Sequence, residues 1–345
     1  MSKPNLLIVG LFLNEKNKQI IMRTAADQLA ELFQKHQYSI IKTSYYPNKI
    51  KRFLDTFFTI LSKKNKYKIA IVPLYGGTAS LLWATVSVYL LKLINKQTVL
   101  IIHGGSIPER MKTKPNGYLR VIKKSDKVVC PSNFIIHHLK QYDVNALLIE
   151  NVLNLSDYQF HQKNEIHPKL FWMRTFEDAY NPLMAVHVLS TLKKKYANAT
   201  MVMAGRDDGL LHATQTLAKE LNVNNTITYP GYITNKQKNE LAEQCDVYIC
   251  TNKIDNAPVT FIEMFCLGLP VVSVNVGGIP FLVNDGENAL LVNYNDVEAM
   301  TEKIEWLIQN KNEANKLITN AFATSRNYDE EIIIKKWEHL FELNS

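Results

Sequence analysis

The sequence predicts an α/β chain made of two doubly wound parallel domains, one after the other. Three observations lead there. Short apolar runs of strand length alternate with apolar stripes at helical spacing, and such alternation folds into a parallel sheet with helices on both faces. The alternation halts at a polar stretch, residues 161–168, and then restarts. The chain has 345 residues, which suits two domains at roughly 100–200 residues each. The expected domains are residues 1–163 and 168–325, with 326–345 as a terminal helical segment.

The elements follow in order. Leu6 to Leu11 reads as the first strand, and Ile21, Ala25, Leu29 and Leu32 repeat as a helix. Ser39 to Lys42, Ile69 to Leu74, Thr98 to His103 and Lys127 to Cys130 read as strands. Ser132 caps a helix to Gln141, and Ala146 to Ile149 is a further strand. In such sheets ligands lie beyond the carboxyl ends of the strands. That puts Gly76-Gly77, His103-Gly104-Gly105 and Pro131-Ser132 on the functional edge. The second set of strands is Lys169 to Met173, Met201 to Ala204, Ile227 to Tyr229, Val247 to Cys250 and Val271 to Val274. Thr234 and Gln237 have the spacing of a capping box. Glu330 to Leu343 reads as a terminal helix carrying Trp337.

The densest stretch is Asp255 to Pro280, DNAPVTFIEMFCLGLPVVSVNVGGIP. It predicts a loop, a helix with Pro258 in its first turn, a left-handed stop at Gly268, a buried strand and a glycine loop. Asp255 lies just before that helix and Glu263 about two turns in. A helix start binds phosphate well; a carboxylate beside it suits hydroxyl groups instead.

Composition narrows the classes. The longest apolar run, Leu81 to Ile94, is broken by Lys92 and falls short of the ~18 residues of a membrane span, so it reads as a buried helix. Leu6 to Leu11 is too short for a secretory leader. The four cysteines, Cys130, Cys245, Cys250 and Cys266, have no metal or redox spacing, which fits a reducing cytoplasm. Residues 1–165 carry 24 Lys+Arg against 10 Asp+Glu, leaving 16 against 22 for the rest. The basic half suggests an anionic partner (a membrane surface, a phosphorylated acceptor or nucleic acid) or a well-solvated lysine surface. No nucleic-acid motif accompanies it, and no nucleic-acid partner is expected. Ile50, Phe53, Leu54, Phe57, Phe58 and Leu61 form one helical stripe among Lys49, Lys51, Arg52, Lys63, Lys64, Lys66 and Lys68. Such a helix either faces the core, the commoner case, or lies on an anionic membrane.

Asp255-x7-Glu263, Gly268-Leu269-Pro270-Val271-Val272, Val276-Gly277-Gly278-Ile279-Pro280 and the following Asn284 to Val292 together resemble the donor-site signature of family 4 retaining glycosyltransferases. The resemblance implies the GT-B fold: two Rossmann-like domains facing a central cleft, the last helix crossing back to the first domain. It implies that Glu263 holds the ribose hydroxyls of a nucleotide. Asp255, where the family usually has glutamate, would contact the transferred sugar and stabilise positive charge on its ring. Arg174 would neutralise the leaving diphosphate. The family's partner lysine is missing, with Tyr180 and Asn181 in that loop and Arg206, after Gly205, as its substitute. Val259, Thr260 and Asn256 would grip the diphosphate, Gly231 and Tyr232 the nucleobase. His103, with Gly104 and Gly105 on the acceptor side, matches the family's loop histidine.

The implied reaction is transfer of a sugar from UDP-sugar or GDP-sugar to a glycan or lipid-linked acceptor, with no metal and no other cofactor. No Asp-x-Asp pair is present to carry a divalent ion in the donor site. The expected location is cytoplasmic, with attachment to the inner face of the plasma membrane if the basic half meets lipid. The alternative is a catalytically degenerate sugar-nucleotide-binding protein on the same fold, motivated by Asp255 and the missing lysine. The sugar, the base and the acceptor are not written in the sequence.

Overall fold

A computed structural model describes residues 3–12 and 24–342; Ile21 and Leu343 of the expected helices lie outside them. The chain divides into two compact units, Met1–Leu153 with Tyr328–Ser345, and Asn154–Asn327. Passage between them falls at Leu153–Asn154, ahead of the polar stretch 161–168. That stretch is held inside the second unit, where Lys163 pairs with Asp246 at 3.4 Å.

In the first unit the order is β1 (Leu6–Leu11), α1 (Ala25–Lys35), β2 (Ile40–Ser44), α2 (Lys49–Ser62), β3 (Ile69–Leu74), α3 (Thr78–Leu93), β4 (Gln97–Ile102), α4 (Ile107–Thr113), α5 (Pro115–Lys124), β5 (Lys127–Cys130), α6 (Asn133–Lys140) and β6 (Leu147–Leu148). The sheet runs β2-β1-β3-β4-β5-β6, with parallel pairing throughout. Side chains alternate across it as a strand requires. Leu7, Val9, Ala70, Val72, Leu100 and Ile102 fill one core; Leu6, Ile8, Ile69, Ile71, Val99 and Ile101 fill the other. Both faces are covered, so these strands read as continuous apolar runs.

The second unit runs β7 (Lys169–Met173), α7 (Pro182–Lys193), β8 (Thr200–Ala204), α8 (Leu211–Glu220), β9 (Ile227–Gly231), α9 (Asn235–Gln244), β10 (Val247–Cys250), α10 (Val259–Leu267), β11 (Val271–Val274), β12 (Leu290–Val292), α11 (Val297–Gln309) and α12 (Lys311–Ser325). Its parallel sheet has the order β12-β11-β10-β7-β8-β9. The chain reverses direction of growth between β7 and β10, the switch point at which open α/β sheets bind ligands. Helix α13 (Glu330–Glu342) returns to the first unit. There Trp337 and Phe341 pack on Phe33 with ring centroids 5.5 and 5.8 Å away. Burying each such ring is worth roughly 1.5–3 kcal/mol.

Three local expectations change. Pro258 is the N-cap of α10 rather than its first helical residue, because its extended ψ turns the chain into the helix from the loop. The run Leu81 to Ile94 is not a buried helix. In α3 only Ala84, Ser87, Val88 and Leu91 are buried, since an outer-layer helix needs just one stripe against its sheet. The apolar stripe of α2 does not lie squarely on the core: the buried residues are Thr56 and Ile60, Phe53, Phe57 and Leu61 are half-buried, and Ile50, Leu54 and Phe58 are exposed. Thr56 is taken inward toward Thr43 of β2, their hydroxyls 3.4 Å apart.

Candidate active site

The carboxyl ends of β7 and β10 are stitched together. Trp172 of β7 donates its indole N–H to the Thr251 hydroxyl at 3.0 Å, and that hydroxyl donates to the Tyr180 carbonyl at 2.8 Å. The Lys253 amide donates to the Ala179 carbonyl at 2.8 Å. Two loops, 174–181 and 251–256, are thereby held side by side at the switch point. Arg174 Nη2 reaches Asp255 Oδ2 at 3.3 Å, and Asn252 Nδ2 donates to the same oxygen at 2.8 Å. The Tyr180 ring lies 5.7 Å from the guanidinium carbon. Burial opposes the charge of Arg174, yet Tyr248, Cys250, Asp255 and Tyr180 together raise its pKa above the ordinary range. Arg174 is thus a fixed cation, only 10% exposed.

The Asp255 loop is set by the two glycines of the Val-Gly-Gly run. The Gly278 amide donates to the Asp255 carbonyl at 2.7 Å. A Cβ on Gly278 would stand 1.7 Å from the Asn256 carbonyl oxygen, and one on Gly277, whose φ is +56°, would stand 2.2 Å from that of Asp255. Only glycine permits this approach. The Asn256 amide in turn donates to Asp255 Oδ1 at 2.8 Å.

Helix α10 begins immediately beyond, with no side chain capping it. The N–H groups of Val259 and Thr260 therefore have no intrahelical carbonyl to meet, and the helix end carries about half a positive charge. Around this start Arg174 Nε, Asn252 Oδ1 and Asn256 Oδ1 are buried without a hydrogen-bond partner among the described residues. Buried polar atoms are normally satisfied, so this cluster has the composition of a polar binding site.

Glu263 sits on α10 one turn further in. Its Oε1 receives Lys238 Nζ at 2.6 Å and the Tyr158 hydroxyl at 3.0 Å. Neither partner was readable from spacing, since Tyr158 lies in an irregular segment and Lys238 within a polar helix. Asn252, three residues before Asp255, was also missed.

The other expected donor-side residues are placed as follows. Gly205 and Gly231 meet at the ends of β8 and β9, the Gly205 amide donating to the Gly231 carbonyl at 2.9 Å. Tyr232 follows, exposed. Arg206 is exposed and pairs with no carboxylate among the described residues. Asn181 is used locally: its oxygen caps α7 at the Met184 amide, 3.3 Å away, and its Nδ2 donates to Tyr294 and Asn295.

In the first unit, His103 follows β4 and stacks on Tyr75, ring centroids 5.4 Å apart. Burial lowers its pKa to about 4, so the imidazole is neutral near pH 7. Gly104 lies against the backbone of Gly76, where a Cβ would come within 2.5 Å of the Gly76 nitrogen. Gly105 continues this loop toward α4.

A family model described as glycosyl transferases group 1 matches residues 156–324. An uncharacterized 41.2 kDa protein in the cps region of Klebsiella pneumoniae is 21% identical over 272 residues, 72% of this chain and 72% of that protein. A putative colanic acid biosynthesis glycosyltransferase, WcaL, of Salmonella typhimurium is 27% identical over 96 residues, 26% of this chain and 24% of that one. The crystal structure of Anabaena HepE in complex with UDP and glucose matches with a TM-score of 0.73 at 13% identity, covering 98% of this chain and 99% of that chain. Paired doubly wound units of this kind define the GT-B fold. Residues 156–324 belong to the glycosyl transferases of group 1, and the chain is a sugar-transferring enzyme.

Proposed function

We propose that the chain is a family 4 retaining glycosyltransferase, moving a sugar from UDP-sugar or GDP-sugar to a hydroxyl of a glycan or lipid-linked acceptor in polysaccharide assembly. The observation that carries this reading is the Arg174–Asp255 pair at the switch point, surrounded by unpartnered buried polar atoms and the uncapped start of α10. Anabaena HepE, described with UDP and glucose, supports UDP as the nucleotide to try first.

In this reading Arg174, the N–H groups of Val259 and Thr260, and the exposed Arg206 meet the diphosphate charge in place of a divalent ion. Preorganised charge at the leaving group is a large source of rate. Asp255 faces the hydroxyls of the transferred sugar and the positive charge that grows on its ring. Glu263 takes the ribose diol; Gly205, Gly231 and Tyr232 flank the base; Asn256 and Asn181 order the loops. The bond from the anomeric carbon to the diphosphate breaks with its electron pair leaving on phosphate. The acceptor oxygen bonds to that carbon from the same face, and its proton passes to a phosphate oxygen. On the first unit, the neutral His103 can hydrogen-bond a hydroxyl, with Gly104 and Gly105 as its acceptor-side loop.

A panel of UDP-, GDP- and ADP-sugars, assayed for nucleoside diphosphate release with and without EDTA, tests this. Release from one donor that survives EDTA and is lost in Glu263→Ala supports it, and the anomeric configuration of the product decides retention. Binding without release under any acceptor points to the degenerate binding protein. No binding at all sinks the donor reading.

The first unit is proposed to rest on an anionic membrane. Ile50 (72% exposed), Phe58 (63%), Leu82 (60%) and Leu93 (79%) project from α2 and α3, helices that pack on each other. Exposed Lys49, Lys51, Lys63, Lys64 and Lys66 lie along α2 and just beyond its end. Apolar side chains beside lysines match the chemistry of a charged lipid surface. The attachment proposed is peripheral, at the cytoplasmic face; among the described residues no helix is long and apolar enough to cross a membrane. Co-sedimentation with vesicles containing anionic lipid checks this; equal binding to neutral vesicles, or none, would defeat it.

A further inference from the structure

Lys238 is 3% exposed, deeply buried for an ammonium group. It comes from α9, which packs on α10. Its Nζ lies 2.6 Å from Glu263 Oε1, 3.3 Å from the Tyr158 hydroxyl and 3.4 Å from Asn235 Oδ1, and 5.0 Å from the centre of the Tyr158 ring. Tyr158 is held toward this pair because Asn239, also on α9, donates to the Asp157 carbonyl at 2.7 Å. Burial first, and then the Glu263 carboxylate, raises the Tyr158 pKa, so its hydroxyl stays a donor. Both donors converge on one oxygen, Oε1. Glu263 Oε2 takes part in none of these bonds.

A buried ion pair is a poor source of stability, since desolvation offsets much of its attraction. It does fix direction: an oxygen receiving an ammonium and a phenol cannot turn. We propose that Lys238 and Tyr158 are positioning residues that lock Glu263 so that only Oε2 is offered to the ribose, which is thereby recognised through a single carboxylate oxygen. This rests on the donor-site reading above. It has a consequence that ordinary two-oxygen recognition of a diol lacks. One of the two ribose hydroxyls carries the discrimination and the other contributes little.

The test measures binding of UDP and GDP, and of the 2′-deoxy and 3′-deoxy forms of whichever binds, to the native chain, Lys238→Met and Tyr158→Phe. For the native chain, loss of one hydroxyl is expected to weaken binding about tenfold and loss of the other less than about threefold. Lys238→Met is expected to bring the three ligands within about twofold of one another and to raise KM for the sugar nucleotide about tenfold, with kcat within about twofold. Tyr158→Phe keeps the shape, removes one donor, and gives a smaller change in the same direction if Lys238→Met folds poorly. Equal losses from both deoxy forms in the native chain, or unchanged discrimination and KM in both variants, would overturn the inference while leaving the donor site standing. Failure of the native chain to bind either nucleotide would overturn the donor site and this inference with it.

Discussion

The two units share an architecture but furnish the carboxyl ends of their sheets with different chemistry. At the carboxyl end of its sheet the second unit gathers a buried arginine, two carboxylates and an uncapped helix start. The corresponding end of β3 and β4 in the first unit offers paired glycine loops and an imidazole that burial keeps neutral; its cations are spread over helix surfaces. A leaving diphosphate needs charge at fixed points. An acceptor hydroxyl is neutral and needs mainly space and a hydrogen bond. In the proposed division of labour, the charged end therefore belongs to the donor and the glycine-rich end to the acceptor.

The sharpest attempt to break this comparison sets Asp255→Ala against His103→Ala. Turnover is expected to fall by at least about a hundredfold in the first, for loss of preorganised charge, and about tenfold in the second, for loss of one neutral hydrogen bond. Equal losses, read as nucleoside diphosphate release, would remove the distinction. Arg174→Met comes next, with kcat/KM expected to drop about a hundredfold, and Arg174→Lys is expected to recover little, because a lysine cannot reproduce the planar fork. Full recovery with lysine would show that charge alone suffices.

On the first unit, Phe58→Glu is expected to weaken association with anionic vesicles about tenfold, with turnover of a water-soluble acceptor unchanged. Vesicle binding that resists both this change and added salt would locate the contact elsewhere. The smallest effect concerns pH. The folded pKa of His103, about 4, lies below its ordinary 6.5, so between those values the unfolded chain binds the extra proton and stability falls as pH falls. Thermal melts from pH 7 to pH 4.5 should show a decline that is shallower in His103→Gln. An identical decline in both would assign the acid sensitivity to other groups.

Buried parallel strands were the most legible part of the fold. Leu6–Leu11, Ile69–Leu74, Lys127–Cys130, Lys169–Met173, Val247–Cys250 and Val271–Val274 stand where the apolar runs placed them, because a strand covered on both faces has no polar interruptions to blur it. The three-residue β12 was not recognised as a strand, and α4 and α5, each with a proline in its first turn, were not assigned. Helical periodicity found the stripe on α2 but not its direction: it identifies a face, and the sheet packs on Thr56 and Ile60 instead. In the site, Arg174, Asp255 and Glu263 were singled out through the family resemblance of the whole Asp255 to Pro280 string, since two carboxylates at that spacing would mean little alone. Lys238 and Tyr158 meet Glu263 across 25 and 105 residues of chain, a meeting that only the packing of α9 on α10 creates.

The return of α13 to the first unit has a consequence for how the protein is made. Ile333, Ile334, Trp337, Leu340 and Phe341 belong to the same core as Leu6, Phe33 and Ile101, so residues 3–153 leave the ribosome with that side of their sheet covered by α1 alone and part of its apolar surface open. The second unit, synthesised later, has all of its strands and helices in hand before α13 emerges. Domains usually complete themselves in order of synthesis; here the earlier one must wait for the later, with apolar surface open to chaperones or to aggregation throughout that interval.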